Sequence, residues 1–308
     1  MNAALTQLAL IFTVTVTGMG QTTSGWPAVP VPSTSERVAV LADKRINESS
    51  GIARSGRDPS IFWTMNDSGG EPCIFAIDRS GATRAKVRLP NAVNFDWEDL
   101  ALGTDDEGLP ALFIADIGDN FTARPSIQVY QISEPAVSAA GQPVGETVSA
   151  PPILWRANYP NGKHNAESLL FHPQTRRLYI LTKRDDGQSA LYAFPQPLQR
   201  DVSMPLEKIT DLVFPKLVRV GKRPQDNCMT TSGGFSPDGS RLVVSTYSSL
   251  YEWKLPPGQP LATALQHPPV RIEPELQRQV EGVCYDADNI TLWFTSEHLP
   301  TPLMRVKR

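Results

Sequence analysis

Asp96-Trp97-Glu98-Asp99-Leu100-Ala101, followed by Leu112-Phe113-Ile114-Ala115-Asp116-Ile117-Gly118-Asp119-Asn120, reads as a strand that opens on carboxylates, a turn, and a second strand that ends on carboxylates. The arrangement recurs. Ser50-Gly51-Ile52, Glu98-Asp99-Leu100, Glu167-Ser168-Leu169, Thr231-Ser232-Gly233 and Glu281-Gly282-Val283 each open a short strand. Each is followed, past a turn, by a more apolar one: Ile61-Phe62-Trp63-Thr64, Leu112-Phe113-Ile114-Ala115, Leu178-Tyr179-Ile180-Leu181, Leu242-Val243-Val244-Ser245 and Leu292-Trp293-Phe294-Thr295. The intervening His172-Pro173-Gln174-Thr175, Ser236-Pro237-Asp238-Gly239 and Asp286-Ala287-Asp288-Asn289 carry turn chemistry.

A third strand follows in every unit, at residues 73–77, 127–132, 190–194, 250–254 and 303–307, and a fourth in four of them, at 85–89, 153–157, 209–214 and 270–272. The fifth unit runs out of chain, and the unassigned strand at 37–41 supplies what it lacks. A ring of four-stranded units closed by strands from both ends leaves no free edge. The expectation is an all-β fold, a β-propeller of five four-stranded blades closed by the N-terminal strand. Six blades is the alternative, should residues 214–226 conceal strands. A β-sandwich or two small barrels would not require a repeated internal signature.

Composition agrees. Of 308 residues, 28 are proline and 21 glycine, spread between short apolar runs, which favours many strands over long helices. The net charge is −3 and basic residues never run beyond Lys183-Arg184 or Lys222-Arg223, so no nucleic-acid face is expected. The apolar run at 5–16 is too short for a membrane span, which needs about 20 residues, and fits a signal peptide at 1–20, followed by a flexible linker at 21–36 and the propeller at 37–308. A disordered or core-packed amino terminus is the competing reading. The expected product is secreted or periplasmic and monomeric. Cys73, Cys228 and Cys284 are scattered and odd in number, and are expected to be buried small hydrophobes.

In a blade, strands run up and down, so the start of the first and the end of the second meet on one face. The first set there comprises Glu48, Asp96, Glu98, His164, Asn165, Glu167, Thr231 and Glu281; the second comprises Asn66, Asp67, Asp116, Asp119, Asn120, Lys183, Arg184, Tyr247, Glu297 and His298. Carboxylates so concentrated need a cation, raised pKa values or local positive partners. Oxygen ligands suit Ca²⁺ or Mg²⁺, and four histidines without clustered cysteine make zinc a poor fit. Asp116, Asp119 and Asn120 around Gly118, with Glu281, are the expected ligands of a divalent cation, Ca²⁺ foremost. Glu98, Glu167 and His298 are the expected catalytic groups. Asp96, Asn66, Asp67, Arg124, Lys183, Arg184 and Asn165 are expected to meet the ligand. Polar residues at strand starts also cap turns and bond neighbouring blades, and Trp63, Trp97, Trp155, Tyr179, Trp253 and Trp293 are expected in the core.

Ser50-Gly51-Ile52-Ala53, Asn66-Asp67-Ser68-Gly69, Trp97-Glu98-Asp99-Leu100-Ala101, Ile114-Ala115-Asp116-Ile117-Gly118-Asp119-Asn120 and Asn165-Ala166-Glu167-Ser168-Leu169 resemble motifs of exported bacterial propellers grouped with TolB-like, phytase-like and SMP-30-like proteins. The resemblance covers residues 37–308. It implies that acids in the channel mouth bind divalent cations used for phosphoester or lactone hydrolysis, and by position Glu98, Asp116, Asn120, Glu167 and Glu281 are similar. This chain is one blade short of the six usual there. Two functions stand at this point: a metal-dependent ester or phosphoester hydrolase acting on a small ligand, and a non-catalytic scaffold binding a protein or glycan.

Overall fold

The computed structural model describes residues 30–31, 33–137, 145–218 and 221–307. The expected signal segment and most of the expected linker lie outside the described residues. Five sheets form, and in four of them the four main strands follow one another in sequence order from the inner edge outward. Blade I comprises Ser49–Arg54, Ile61–Asn66, Cys73–Asp78 and Thr83–Arg88. Blade II comprises Trp97–Thr104, Pro110–Asp116, Ile127–Ser133 and Ile153–Asn158, and blade III Ala166–His172, Arg177–Thr182, Gln188–Ala193 and Glu207–Val213. Blade IV comprises Thr230–Phe235, Arg241–Thr246, Leu250–Lys254 and Val270–Ile272. Blade V comprises Val280–Tyr285, Leu292–Ser296 and Pro302–Lys307, and its outer strand is Thr34–Val40 from the other end of the chain, paired antiparallel with Pro302–Lys307. That strand starts at Thr34, just ahead of the residue 37 expected from sequence. Arg305 Nε donates to Glu36 across the closure (2.8 Å). Residues 214–226, where the six-blade alternative needed strands, contain none among those described, only the start of a 3₁₀ turn at Pro224–Asn227. No helix among the described residues is long and apolar enough to cross a membrane.

Alternating side chains of each blade enter two different interfaces, so five separate apolar clusters lie between the five successive pairs of blades. Phe62 of blade I meets Trp293 of blade V (centroids 4.9 Å apart), while its neighbour Trp63 faces blade II. Trp63, Trp97, Trp253 and Trp293 are fully buried, and Trp155 and Tyr179 nearly so. The three cysteines are free and buried, as their spacing implied. Three short parallel strands stitch neighbours together: Gly145–Val148 on blade I, Ser203–Pro205 on blade II and Pro30–Val31 on blade IV. Each covers an outer edge that would otherwise be open.

The inner strands share one irregularity. Each pairs with the second strand of its blade through a register shift at the same height, between Ser49 and Ile52, Trp97 and Asp99, Ala166 and Ser168, Thr230 and Ser232, and Val280 and Gly282. A β-bulge leaves one residue unpaired and re-aims its side chain. The residue so released is Glu98, Glu167, Thr231 or Glu281, and in blade I it falls within Ser50-Gly51. The next residue round the ring is Gly51, Asp99, Ser168, Ser232 and Gly282. Four of these are small, and Asp99 is completely buried among them. Its Oδ1 accepts from Leu100 N (2.9 Å); its Oδ2 accepts from Leu169 N of blade III (3.0 Å) and Ser232 Oγ of blade IV (3.1 Å). Ser232 Oγ in turn accepts from Val283 N of blade V (3.2 Å). A methyl on Gly51 of blade I would fall 2.6 Å from Leu100 N and 2.7 Å from Asp99 Oδ1. One carboxylate therefore ties the inner strands at the axis.

Burial pushes the Asp99 carboxyl pKa well up, while its donors from Leu169, Leu100, Ser232 and Gly233 pull it back. Asp99→Asn sets an NH₂ group against one of these donors in either rotamer. It is expected to cost about 2–3 kcal/mol in urea unfolding, the scale of a buried hydrogen-bonding group left without a partner; a loss below about 0.5 kcal/mol would contradict the axial role.

Candidate functional site: an acidic channel mouth

The released residues face the end of the channel where the inner strands begin. Asp67, Asp96 and Glu98 each place a carboxylate oxygen within 4.8 Å of the others. Asp67 follows the second strand of blade I and Asp96 precedes the inner strand of blade II, so sequence distance is bridged by the meeting of two blades. Asn94 holds the two segments together: its Nδ2 donates to the Asp67 carbonyl (2.7 Å) and its Oδ1 accepts from Trp97 N (3.2 Å). Gly118 forms the wall behind. A Cβ there would lie 2.2 Å from Glu98 Oε1 and 2.3 Å from Asp96 Oδ2, so only glycine lets both carboxylates sit where they do. Ile117 N and Gly118 N donate to the Asp96 carbonyl (3.2 Å each), fixing that wall against the strand start.

Beyond these three stand Glu167, Glu281 and Glu297 with one buried cation, Lys183. Lys183 Nζ is 2.6 Å from Glu167 Oε1 and donates to the Tyr247 hydroxyl (2.5 Å). Burial drives the lysine pKa down, but the charges of Glu167, Tyr247, Glu281 and Glu98 more than offset it, and the ammonium is held well above its ordinary range. Gln279 Nε2 bridges Glu281 Oε1 (3.1 Å) and Glu297 Oε2 (2.8 Å). Glu281 is 3 % exposed, and its Oε2 is buried with no hydrogen-bond partner. An acceptor oxygen left so in a buried wall is expensive unless something absent from the chain itself meets it.

The acids answer their crowding by shifting. Burial first, then the charges of Glu167, Glu297 and Asp96, push the Asp67 carboxyl up to about 7, partly resisted by its bond from Ser68 N. Burial and the Glu167 charge raise Asp96. Burial and the charges of Glu167 and Asp67 raise Glu98 well above the usual range, and burial raises Glu281 likewise despite Lys183. Two charges about 5 Å apart repel by roughly 3 kcal/mol at an effective dielectric of about 20, less where water reaches them. One lysine, already paired with Glu167, does not balance the set.

Other expected ligands are placed differently. Asp116, Asp119 and Asn120 each have partners within their own loop or the neighbouring blade. Asp116 Oδ1 accepts from Arg124 Nη1 (2.7 Å), and that guanidinium also donates to the carbonyls of Gly118 (2.9 Å) and Asp116 (3.1 Å). Asp119 caps its own turn, with Oδ1 accepting from Ala123 N and Oδ2 from Arg124 N (2.8 Å each). Asn165 joins blades II and III, accepting from Asp119 N (2.7 Å) and donating to Asn120 Oδ1 (3.1 Å). Asn66 holds the loop ahead of blade I through Glu48 N and the Arg45 carbonyl. Arg184 is exposed and paired with Asp186. His298 is exposed on the rim, its Nε2 3.8 Å from Glu297 Oε2. Asn94 and Gln279 went unnoticed in the sequence, and there Gly118 marks only the turn between Asp116 and Asp119, not the wall behind Glu98 and Asp96.

Compared with protein-family models and with curated proteins, the chain matches none.

Glu98→Gln replaces one of three crowded carboxyls with an amide that stays neutral at every pH. In chelator at pH 8 it is expected to raise the melting temperature by about 2–4 °C, equivalent to about 1 kcal/mol in a chain of this size, because the uncompensated repulsion is gone. A fall in melting temperature would mean that Glu98 is a stabilising structural residue.

Proposed function

We propose that the protein is an exported propeller whose mouth binds a divalent cation, Ca²⁺ by preference, and hydrolyses an ester or phosphoester of a small ligand. The observation that carries this reading is the approach of Asp67, Asp96 and Glu98 within 4.8 Å of one another, with the partnerless Oε2 of Glu281 on another carboxylate that, like Glu98, acts on Lys183. The donor set fits the ion: three carboxylates are hard oxygen ligands, no thiol or imidazole is among them, and their charge is unbalanced by the chain. Asp67, Asp96 and Glu98 would hold it. Once bound, such an ion polarises an ester or phosphoester oxygen and lowers the pKa of water.

The chain's own groups then divide the remaining work. Glu281 Oε2 offers a buried acceptor for the proton of an attacking water, and burial raises its carboxyl in the direction that strengthens it as a base. Lys183, kept charged by Glu167 and positioned by Tyr247, can meet negative charge that develops on the substrate. Glu167 thus acts as the positioning partner of the lysine. Phe95 (64 % exposed) and Phe121 (91 %) stand in the loops near Arg124 and favour a second reading, a scaffold that binds a partner at the rim without turnover.

Protons and cation compete for the same carboxylates, so the sign of the pH dependence follows. Asp67 titrates near 7 in the folded chain against about 3.8 as a free carboxyl. The ion-free fold therefore binds the extra proton, and this contribution to stability is lost as pH rises through 7. Calcium should raise the melting temperature more at pH 8 than at pH 5.5; an equal or larger shift at pH 5.5 would count against the site. Glu281→Gln should keep the calcium shift and lower turnover of a responsive carboxylate ester, lactone or phosphoester at least 100-fold, within the range of general-base contributions. A calcium shift with no turnover on any of the three classes would favour the scaffold.

A further inference from the structure

The Asp99 ring closes the acidic mouth from below, and the other half of the channel differs in character. Where the inner strands end, residues from all five blades surround a cavity of about 200 Å³. Its walls include Ile52, Leu100, Leu102, Leu169, Phe171 and Val283. Arg54 is the single charged residue among those lining it, and no carboxylate does. The Arg54 side chain is part-buried; its Nη1 donates to the Ser55 carbonyl (2.8 Å), and no carboxylate lies within salt-bridge distance among the described residues. Gly234 forms a bare stretch of wall: a Cβ built there meets only Val283 O, at 3.7 Å. The space beside a strand residue in a packed ring is thus left open.

We propose that this end of the channel is a second binding site, for a small amphipathic carboxylate whose apolar tail enters the cavity and whose head meets Arg54. The size is right for a ring or a short alkyl chain, since a cavity of about 150 Å³ with Leu, Ile and Phe walls accepts benzene. Mostly apolar walls with a few fixed polar groups, here Arg54 with Thr104, Ser236 and Tyr285, are the usual make-up of a small-molecule site. The lone guanidinium selects an anion, and a carboxylate can engage it with two parallel hydrogen bonds. The Asp99 layer separates this site from the cation-binding mouth, so the proposal stands or falls independently of the hydrolase reading.

Calorimetric titration with hexanoate, 1-hexanol and hexylamine tests it. Hexanoate should bind with a Kd of about 1 mM or tighter, hexanol about 10-fold more weakly, and hexylamine more weakly still. Gly234→Leu fills the open wall and should weaken hexanoate at least 10-fold, with the melting temperature held or raised because glycine inside a strand is unfavourable. Arg54→Gln should bring hexanoate down to the affinity of hexanol and leave hexanol unchanged. Both variants should retain the calcium-induced melting shift of the parent. No saturable binding of hexanoate by the parent protein, equal binding of hexylamine, or undiminished binding by Gly234→Leu would each overturn the proposal.

Discussion

Five inner strands meeting around one axis leave space for a single carboxylate, and Asp99 supplies it. Its carboxylate takes donors from blades II, III and IV, and Ser232 passes the connection to blade V. Gly51 of blade I must lack a side chain to come so near. Each residue before this ring is an extra one in its strand and leaves the ladder. The bulge therefore solves a packing problem at the axis and, by the same geometry, projects Glu98, Glu167, Thr231 and Glu281 toward the mouth. The axial ring is where structure and site become one constraint.

Adjacent carboxylates on this strand have opposite fates. Asp99 points into the ring and is surrounded by donors, which makes it a tie between blades. Glu98 points out of the ring and faces Asp67 and Asp96, and among the described residues the positive charge acting on it is that of Lys183, which is already paired with Glu167. Its burial raises its pKa, whereas Asp116, also raised by burial, has Arg124 beside it. A buried charge with a partner holds a fold together; a cluster without one is a place for a proton or a cation. The channel is thus divided at Asp99 into an acidic half with surplus charge and an apolar half with surplus volume.

Most of the fold was legible because the repeat is carried by residues with a physical duty at each copy. Strand order, blade number and the closing N-terminal strand follow from the pairs Ser50-Gly51 through Glu281-Gly282 and the apolar runs after them. The bulge was written in those same pairs, as a polar residue followed in four of the five by a small one, yet a strand periodicity of two does not reveal an extra residue. The site was half legible. Glu98, Asp96 and Asp67 were recognisable as residues of one face, but Asp116-Ile117-Gly118-Asp119-Asn120 looked the stronger ligand set. Its oxygens are taken by Arg124 and by backbone N–H groups of the same turn, a local competition that spacing alone does not disclose. Asn94 was invisible for the opposite reason: it acts by joining blades that lie far apart along the chain. The stitching strands Gly145–Val148 and Ser203–Pro205 were missed because they belong to the sheet of the preceding blade.

Locating the cation directly decides the central claim, that the bulged Glu98 joins Asp96 and Asp67 of the adjoining loops in a carboxylate set made for an ion. A crystal grown with Mn²⁺ as a calcium substitute and measured for anomalous scattering should show one strong peak in the mouth, within about 2.0–2.6 Å of oxygens of Asp67, Asp96 and Glu98. A mouth without a peak at millimolar Mn²⁺, or a peak held by Asp116 and Asp119 instead, would contradict it.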